Sequence, residues 1–210
     1  MEETKAGLRQ RIFAWALARN HHYEQFAAPY KRRLFADLEG VVIELGPGTG
    51  ANLRYLDPRR VRWTGIDPNP FMRTYLFDEA SRLGVAADLR IGGAYDLPVE
   101  NESVDAVIST LVLCCIDDPQ RALREVLRVL KPGGRLIFIE HVAAPEGSRL
   151  RRVQNWIVPL WSWLGDGCHP NRETGKELER AGFATVEYDA ITAPLPVVSP
   201  QIVGMARKAG

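Results

Sequence analysis

Cysteine is sparse in this chain: three residues in 210, two of them adjacent (Cys114, Cys115) and the third at Cys168. They form no CxxC pair and no even ladder, which excludes a disulfide scaffold, argues against structural zinc and fits a reducing compartment. Lysine is rarer than arginine, 5 against 22, yet 27 basic and 26 acidic side chains nearly cancel, so no basic surplus points to nucleic acid. Long apolar runs are missing as well. Uncharged stretches such as 106–116 and 153–164 fall short of the roughly 18 to 20 residues that a bilayer span requires. The opening MEETKAGLRQR has no apolar stretch ahead of a small-residue cleavage site. Together these absences predict a soluble, cytoplasmic protein.

Apolar residues, at 46%, suffice for a sizeable core, and 210 residues suit one domain. Residues 4–38 read as helical: Leu8, Ile12 and Trp15 share one stripe, and Phe26, Tyr30, Leu34 and Leu38 share another beyond a break at Ala28-Pro29. From Val41 the texture changes to short apolar runs at 41–45, 61–66, 86–91, 104–110 and 135–140, separated by segments such as the amphipathic 71–83 and 120–130. A parallel sheet covered on both faces demands that alternation. After a Trp- and Arg-rich segment at 148–165 and a charged helix at 171–181, FATVEYDAI and QIVGMARK read as two closing strands. The intervening Ala193-Pro194-Leu195-Pro196 reads as a loop.

The strongest local signal is Glu44-Leu45-Gly46-Pro47-Gly48-Thr49-Gly50, directly after the first strand. Glycines there let the backbone turn sharply and approach a ligand without a Cβ clash. Asp67 closes the second strand, 17 residues beyond Gly50, where a carboxylate can accept from both hydroxyls of a ribose. The pair reads as a nucleoside-cofactor site. Because Gly46-x-Gly48-x-x-Ala51 also satisfies the dinucleotide fingerprint in its Ala variant, a nicotinamide-dependent dehydrogenase or a non-catalytic cofactor-binding module stays open on these residues alone.

Three further blocks bear on that choice: Glu44 two residues before the first glycine, GGAYDLP followed by ESVDAVIST, and LREVLRVLKPGG leading into the fifth strand. In order and spacing, from about residue 41 to 141, the chain resembles the class I S-adenosylmethionine (SAM)-dependent methyltransferases. The resemblance implies a Rossmann-like, seven-stranded, mostly parallel sheet with helices on both faces and a C-terminal hairpin that leaves one strand antiparallel. It implies SAM as cofactor, with Gly46, Pro47, Gly48 and Gly50 against it, Glu44 toward its ammonium end, and Asp67 with Pro68 at the ribose. Ala94 and Tyr95 fall at the adenine contacts, and Thr110 and Leu111 beneath the methyl group. Gly93 stands where many members carry an acidic residue, so the bond to the adenine amino group is left to Asp96 or to backbone. The expected organisation is N-terminal lid helices at 1–40, a cofactor-binding core at 41–141, and a substrate cap with closing strands at 142–210.

A narrower resemblance lies in ELGPGTGANL, IDPNP, STLVLCC, FIEHVAAP, GDGC and TGKELERAGF. These look like the methyltransferase-like seven family, thiol S-methyltransferases whose animal members carry an N-terminal membrane-associating segment. No comparably apolar segment precedes residue 40, so a soluble relative and a different substrate class both remain open. The resemblance implies methyl transfer to a small apolar acceptor, with a thiol sulfur ahead of carbon, nitrogen or oxygen on a quinone, a lipid or another small molecule.

On the acceptor side the positions singled out are His141, just after the fifth strand, and Asp166, Cys168 and His169 in the GDGCHP turn, because loops after parallel strands converge over the cofactor; His141, Asp166 and His169 are the catalytic candidates. The competing readings are a histidine bonded to backbone and an aspartate capping a turn. Cys168 reads as a half-buried turn cysteine, and Cys114 and Cys115 as small residues packed at the end of the fourth strand. His141, Asp166 and His169 are poorly spaced for a metal, and none is expected. Trp156, Trp161 and Trp163, with Ile157 and Leu160, suit an apolar lid, and Tyr23 and Tyr30 close the cofactor side. The Arg-bearing helix near the N-terminus allows weak peripheral contact with an anionic membrane surface. The oligomeric state is not readable from the sequence.

Overall fold

A computed structural model describes residues 2–19 and 21–210, and the side chains of all of these except 2–6 and 21. Two helices, α1 (Glu2–Leu17) and α2 (His21–Phe35), precede the first strand, β1 (Gly40–Leu45). The alternating part then runs β2 (Val61–Asp67), α3 (Met72–Leu83), β3 (Asp88–Ile91), β4 (Val104–Thr110), α4 (Pro119–Val129) and β5 (Leu130–His141). Helices α5 (Arg149–Leu164) and α6 (Thr174–Arg180) lead to β6 (Thr185–Thr192) and β7 (Pro200–Arg207).

All seven strands form one sheet in the order β3-β2-β1-β4-β5-β7-β6. The first five are mutually parallel, and β7 runs antiparallel to both β5 and β6, as expected. The central strands are buried on both faces, which explains their unbroken apolar runs. Alternation sorts them: Val42, Ala106, Ile108, Ile137 and Ile139 join α2 and α3 on one side, whereas Ile43, Val107, Leu136 and Phe138 join α4 on the other. Helix α4 shows why the local sequence folds as it does. Asp118 caps it by accepting the Arg121 N–H at 2.9 Å, Pro119 opens its first turn, and Ala122, Leu123, Val126 and Val129 form one buried stripe.

Between β1 and β4 the strand order reverses direction, so the loops leaving their carboxyl ends diverge and open a crevice. Several expected boundaries shift. The break expected at Ala28-Pro29 falls instead at residues 18 and 19, and Pro29 lies inside α2, where burial of Ala27, Leu34 and Phe35 outweighs one missing backbone bond. The Leu8, Ile12, Trp15 stripe faces outward, at 59%, 57% and 52% exposure, while Phe13 and Leu17 turn to the crevice. Strand β5 begins at Leu130, through the Lys131-Pro132-Gly133-Gly134 turn, with a register irregularity opposite Val104 and Ala106.

Candidate functional site

The crevice holds a cavity of about 740 Å³ whose wall is mostly apolar, with Glu44, Asp67 and Asp166 among its polar groups. Its floor is the loop after β1. Gly46 (φ 51°) and Gly48 (φ 55°) are both left-handed, and a Cβ on Gly46 would stand 2.7 Å from Val112 Cγ2, so the turn requires glycine. Asp67 pins this loop: one carboxylate oxygen accepts the Gly48 N–H at 3.0 Å and the other the Asn69 N–H at 2.8 Å. Burial raises the Asp67 carboxyl above its ordinary range, with the Asn69 and Gly48 bonds pulling the other way.

Glu44 is buried with both oxygens engaged, one by Asn52 Nδ2 at 2.8 Å and the other by Trp63 Nε1 at 2.8 Å. Asn52 Nδ2 also donates to Thr110 Oγ1 at 3.0 Å, tying the ends of β1 and β4 together. The Asn52 Oδ1 is buried on the cavity wall without a hydrogen-bond partner, an acceptor left over for a cationic ligand such as the ammonium of SAM. Burial pushes the Glu44 carboxyl up to about 7 against the opposing bonds from Trp63 and Asn52. The folded form therefore holds this proton more tightly than the unfolded chain, whose carboxyl titrates near 4.5. Glu44's part in stability is fully present below that value and falls by about 3 kcal/mol as pH rises to and beyond 7. Urea unfolding of the ligand-free protein across this range is expected to show the decline, and Glu44→Gln to flatten it. Equal slopes for the two proteins would refute the assignment.

At the opposite end, Glu140 on β5 is buried and holds the loop after β4. One oxygen accepts from Ser109 Oγ (2.7 Å) and from the Val112 and Leu113 N–H groups (3.0 and 3.1 Å). Next to it, His141 is 2% exposed, with Nε2 at 2.9 Å from Cys168 Sγ and Nδ1 buried without a partner. Trp161 Nε1 donates to the same sulfur at 3.2 Å, and Cys114 Sγ lies 3.9 Å from it. Hydrogen bonds from the Cys114 and Cys115 thiols and from His141 hold the Cys168 thiol well below its ordinary range, whereas burial pushes the Cys114 thiol up. Asp166 (φ 50°) bridges the cavity rim, accepting from Asn69 Nδ2 at 3.3 Å and facing Arg9 of α1 at 3.4 Å.

Of the expected residues, Glu44, Gly46, Pro47, Gly48, Asp67, Pro68, Thr110, Leu111, His141 and Asp166 line the cavity. Four others do not. Gly50 turns behind the loop, closing on the Pro47 carbonyl against Leu53 and Leu76. Tyr95 is tied to the start of α4, its hydroxyl accepting the Asp118 N–H and its ring under Arg121, while Ala94 packs on the α4-side core. His169 donates its backbone N–H to the Cys114 carbonyl, with its ring against Arg172. The aromatic lid is also thinner than expected. Residues 156, 160 and 163 share the outer stripe of α5, leaving Trp156 83% and Trp163 59% exposed, and of the five lid candidates Trp161 alone reaches the cavity. Tyr23 reaches it and Tyr30 does not. Sequence reasoning missed Asn52 and Glu140, and it read Cys114 and Cys168 as packing residues although it named Cys168 in the turn over the cofactor. Of the two that it missed, Glu140 carried a signal, as the lone carboxylate in the apolar run RLIFIE.

The profile of the methyltransferase domain family matches residues 43–138, the stretch that carries the glycine loop, Asp67 and β4. Thiol S-methyltransferase TMT1B of Rattus norvegicus is 40% identical over 192 residues, covering 85% of this chain and 78% of the relative. Human thiol S-methyltransferase TMT1A is 39% identical over 199 residues, covering 89% and 81%. Among solved structures, a SAM-dependent methyltransferase from Aquifex aeolicus shares the fold, with a TM-score of 0.66 at 16% identity over 94% of this chain and 97% of that one. Sheet, glycine loop and family profile together define a SAM-dependent methyltransferase, and the nicotinamide alternative falls away. Within that class, the chain belongs to the family of the thiol S-methyltransferases TMT1A and TMT1B.

Proposed function

We propose that this enzyme transfers the methyl group of SAM to the sulfur of a small apolar thiol. The observation that carries the reading is the far end of the cavity, where His141 and Cys168 stand 2.9 Å apart among Leu111, Val112, Trp161 and Val198. The names of the relatives at about 40% identity point the same way. When bound, SAM supplies an already activated methyl group, so the chain has to orient the acceptor and exclude water. Asp67 and the Gly46–Gly48 turn hold the nucleoside part, Asn52 Oδ1 and Glu44 face its cationic tail, and the Glu140-anchored loop shapes the acceptor end. Only a few per cent of an ordinary thiol is ionised near neutrality, so this end must also favour the thiolate.

The exposed apolar side chains of α1 and α5 support weak peripheral contact with a lipid surface, from which an apolar thiol reaches the cavity; no described helix is long and apolar enough to cross a membrane. In this reading the enzyme works in the cytoplasm on small molecules rather than nucleic acid.

Incubation with radiolabelled SAM and a panel of alkyl and aryl thiols, phenols, amines and quinones tests the assignment. Labelled thioether is the expected product, and label found only in phenols, amines or quinones would overturn the thiol reading. His141→Ala should lower turnover of the thiol at least about tenfold while leaving affinity for S-adenosylhomocysteine nearly unchanged. Equal turnover would remove His141 from the acceptor end.

A further inference from the structure

Cys114, His141 and Cys168 come from three separate parts of the chain, the turn after β4, the end of β5 and the turn after α5. Their ligating atoms nevertheless lie within 4.8 Å of one another, and all three residues line the cavity. We propose that they form a site for a thiophilic metal ion, Zn²⁺ in the first place, whose fourth position opens into the cavity and receives the acceptor's sulfur. This goes beyond the thiol reading and rests on it for the identity of the fourth ligand alone.

Geometry and chemistry agree on the ion. Tetrahedral zinc with Zn–S bonds of about 2.3 Å sets its sulfur ligands about 3.8 Å apart. The Cys114 and Cys168 sulfurs stand at 3.9 Å. His141 Nε2 and Cys168 Sγ, now hydrogen-bonded at 2.9 Å, move apart by roughly 0.6 Å when an ion takes the proton's place between them. Nε2, the ring nitrogen that faces the Cys168 sulfur, takes the ion, and Nδ1 keeps the proton. Two thiolates and an imidazole are soft to borderline donors that select zinc or cuprous copper over magnesium or calcium. Trp161 Nε1–H, 3.2 Å from Cys168 Sγ, supplies the outer hydrogen bond that such ligands require. Cys115, whose sulfur touches that of Cys114 at 3.6 Å and lies 3.9 Å from the Leu111 carbonyl oxygen, is not among the three residues whose ligating atoms all lie within 4.8 Å of one another. Among the described residues the set offers three ligands and no fourth, the pattern of a zinc site that works on a substrate.

The step balances without a redox partner. The acceptor thiol binds the ion as thiolate and releases its proton to solvent. A lone pair of that sulfur forms the new S–CH₃ bond as the methyl-to-sulfonium bond breaks, with its electron pair left on the sulfur of S-adenosylhomocysteine. The neutral thioether is a poorer ligand than the thiolate and leaves the ion.

Elemental analysis of the purified full chain is expected to give about one equivalent of zinc, and replacement by Co²⁺ to give thiolate-to-cobalt absorption in the near ultraviolet with tetrahedral bands in the visible. A thiol acceptor should shift those bands. In the Cys114→Ser, Cys168→Ser double variant both metals should be lost, with S-adenosylhomocysteine binding by calorimetry showing that the variant is folded. Wild-type protein that carries no zinc and develops no cobalt bands, or bands that persist in the double variant or vanish in Cys115→Ser, would overturn the site. Because the spectrum needs no turnover, the two readings fail separately. Cobalt bands with no thiol methylated leave the metal site standing, whereas thiol methylation at full rate by metal-free protein overturns its role in the reaction.

Discussion

Asp67→Ala is expected to weaken binding of S-adenosylhomocysteine by about a hundredfold, ~2.7 kcal/mol, in a calorimetric titration. The carboxylate carries two loads: it anchors the Gly48 and Asn69 amides, and its remaining lone pairs face the cavity where the ribose hydroxyls are proposed to lie. Charge-assisted bonds of this kind are each worth about 1.5–3 kcal/mol, and losing them loosens the loop as well as the ligand. Asp67→Asn, which keeps one acceptor oxygen, should fall between the two. An alanine variant that binds as tightly as wild type would remove Asp67 from the cofactor site.

Glu140→Ala should lower stability by about 4 kcal/mol and the melting temperature by roughly 10 °C. The reason is that the Val112 and Leu113 amides and the Ser109 hydroxyl would be left in the interior without an acceptor. The discount is the cost of burying the carboxylate itself, visible in its raised affinity for a proton, which burial causes. Turnover should fall further than folding explains, since the same loop carries Leu111 and Cys114, and a shift of about 1 Å at an acceptor site can cost about a hundredfold. Thermal unfolding and steady-state kinetics below the melting point read the two effects separately. An unaltered melting temperature would show that the loop stands without this anchor.

Much of the scaffold was legible because its signals are local. VDAVIST gave β4 to the residue, and the Gly46 turn followed from φ values that only glycine adopts at low cost. The place of Asp67 on the cavity wall was legible because it closes a strand. Less was legible wherever a side chain's face mattered. Leu8, Ile12 and Trp15 keep helical spacing yet point outward, and Trp156 and Trp163 do the same on α5, because spacing fixes which residues share a stripe and not what the stripe meets. Tyr95 was drawn off the cavity by the cap of α4, a contact 23 residues away in sequence.

The sequence by itself determined a parallel sheet with a glycine turn, a carboxylate at the second strand's end and a family to which both belong. Periods of two and four residues, and backbone torsions, are properties of neighbours in the chain. Only the tertiary structure decided that Asn52 and Trp63 hold Glu44, and that His141 meets Cys114 and Cys168 from 27 residues on either side. Those meetings depend on the pairing of β4 with β5 and on how the turn after α5 returns over them, and long-range packing of this kind leaves no periodic trace in a single sequence.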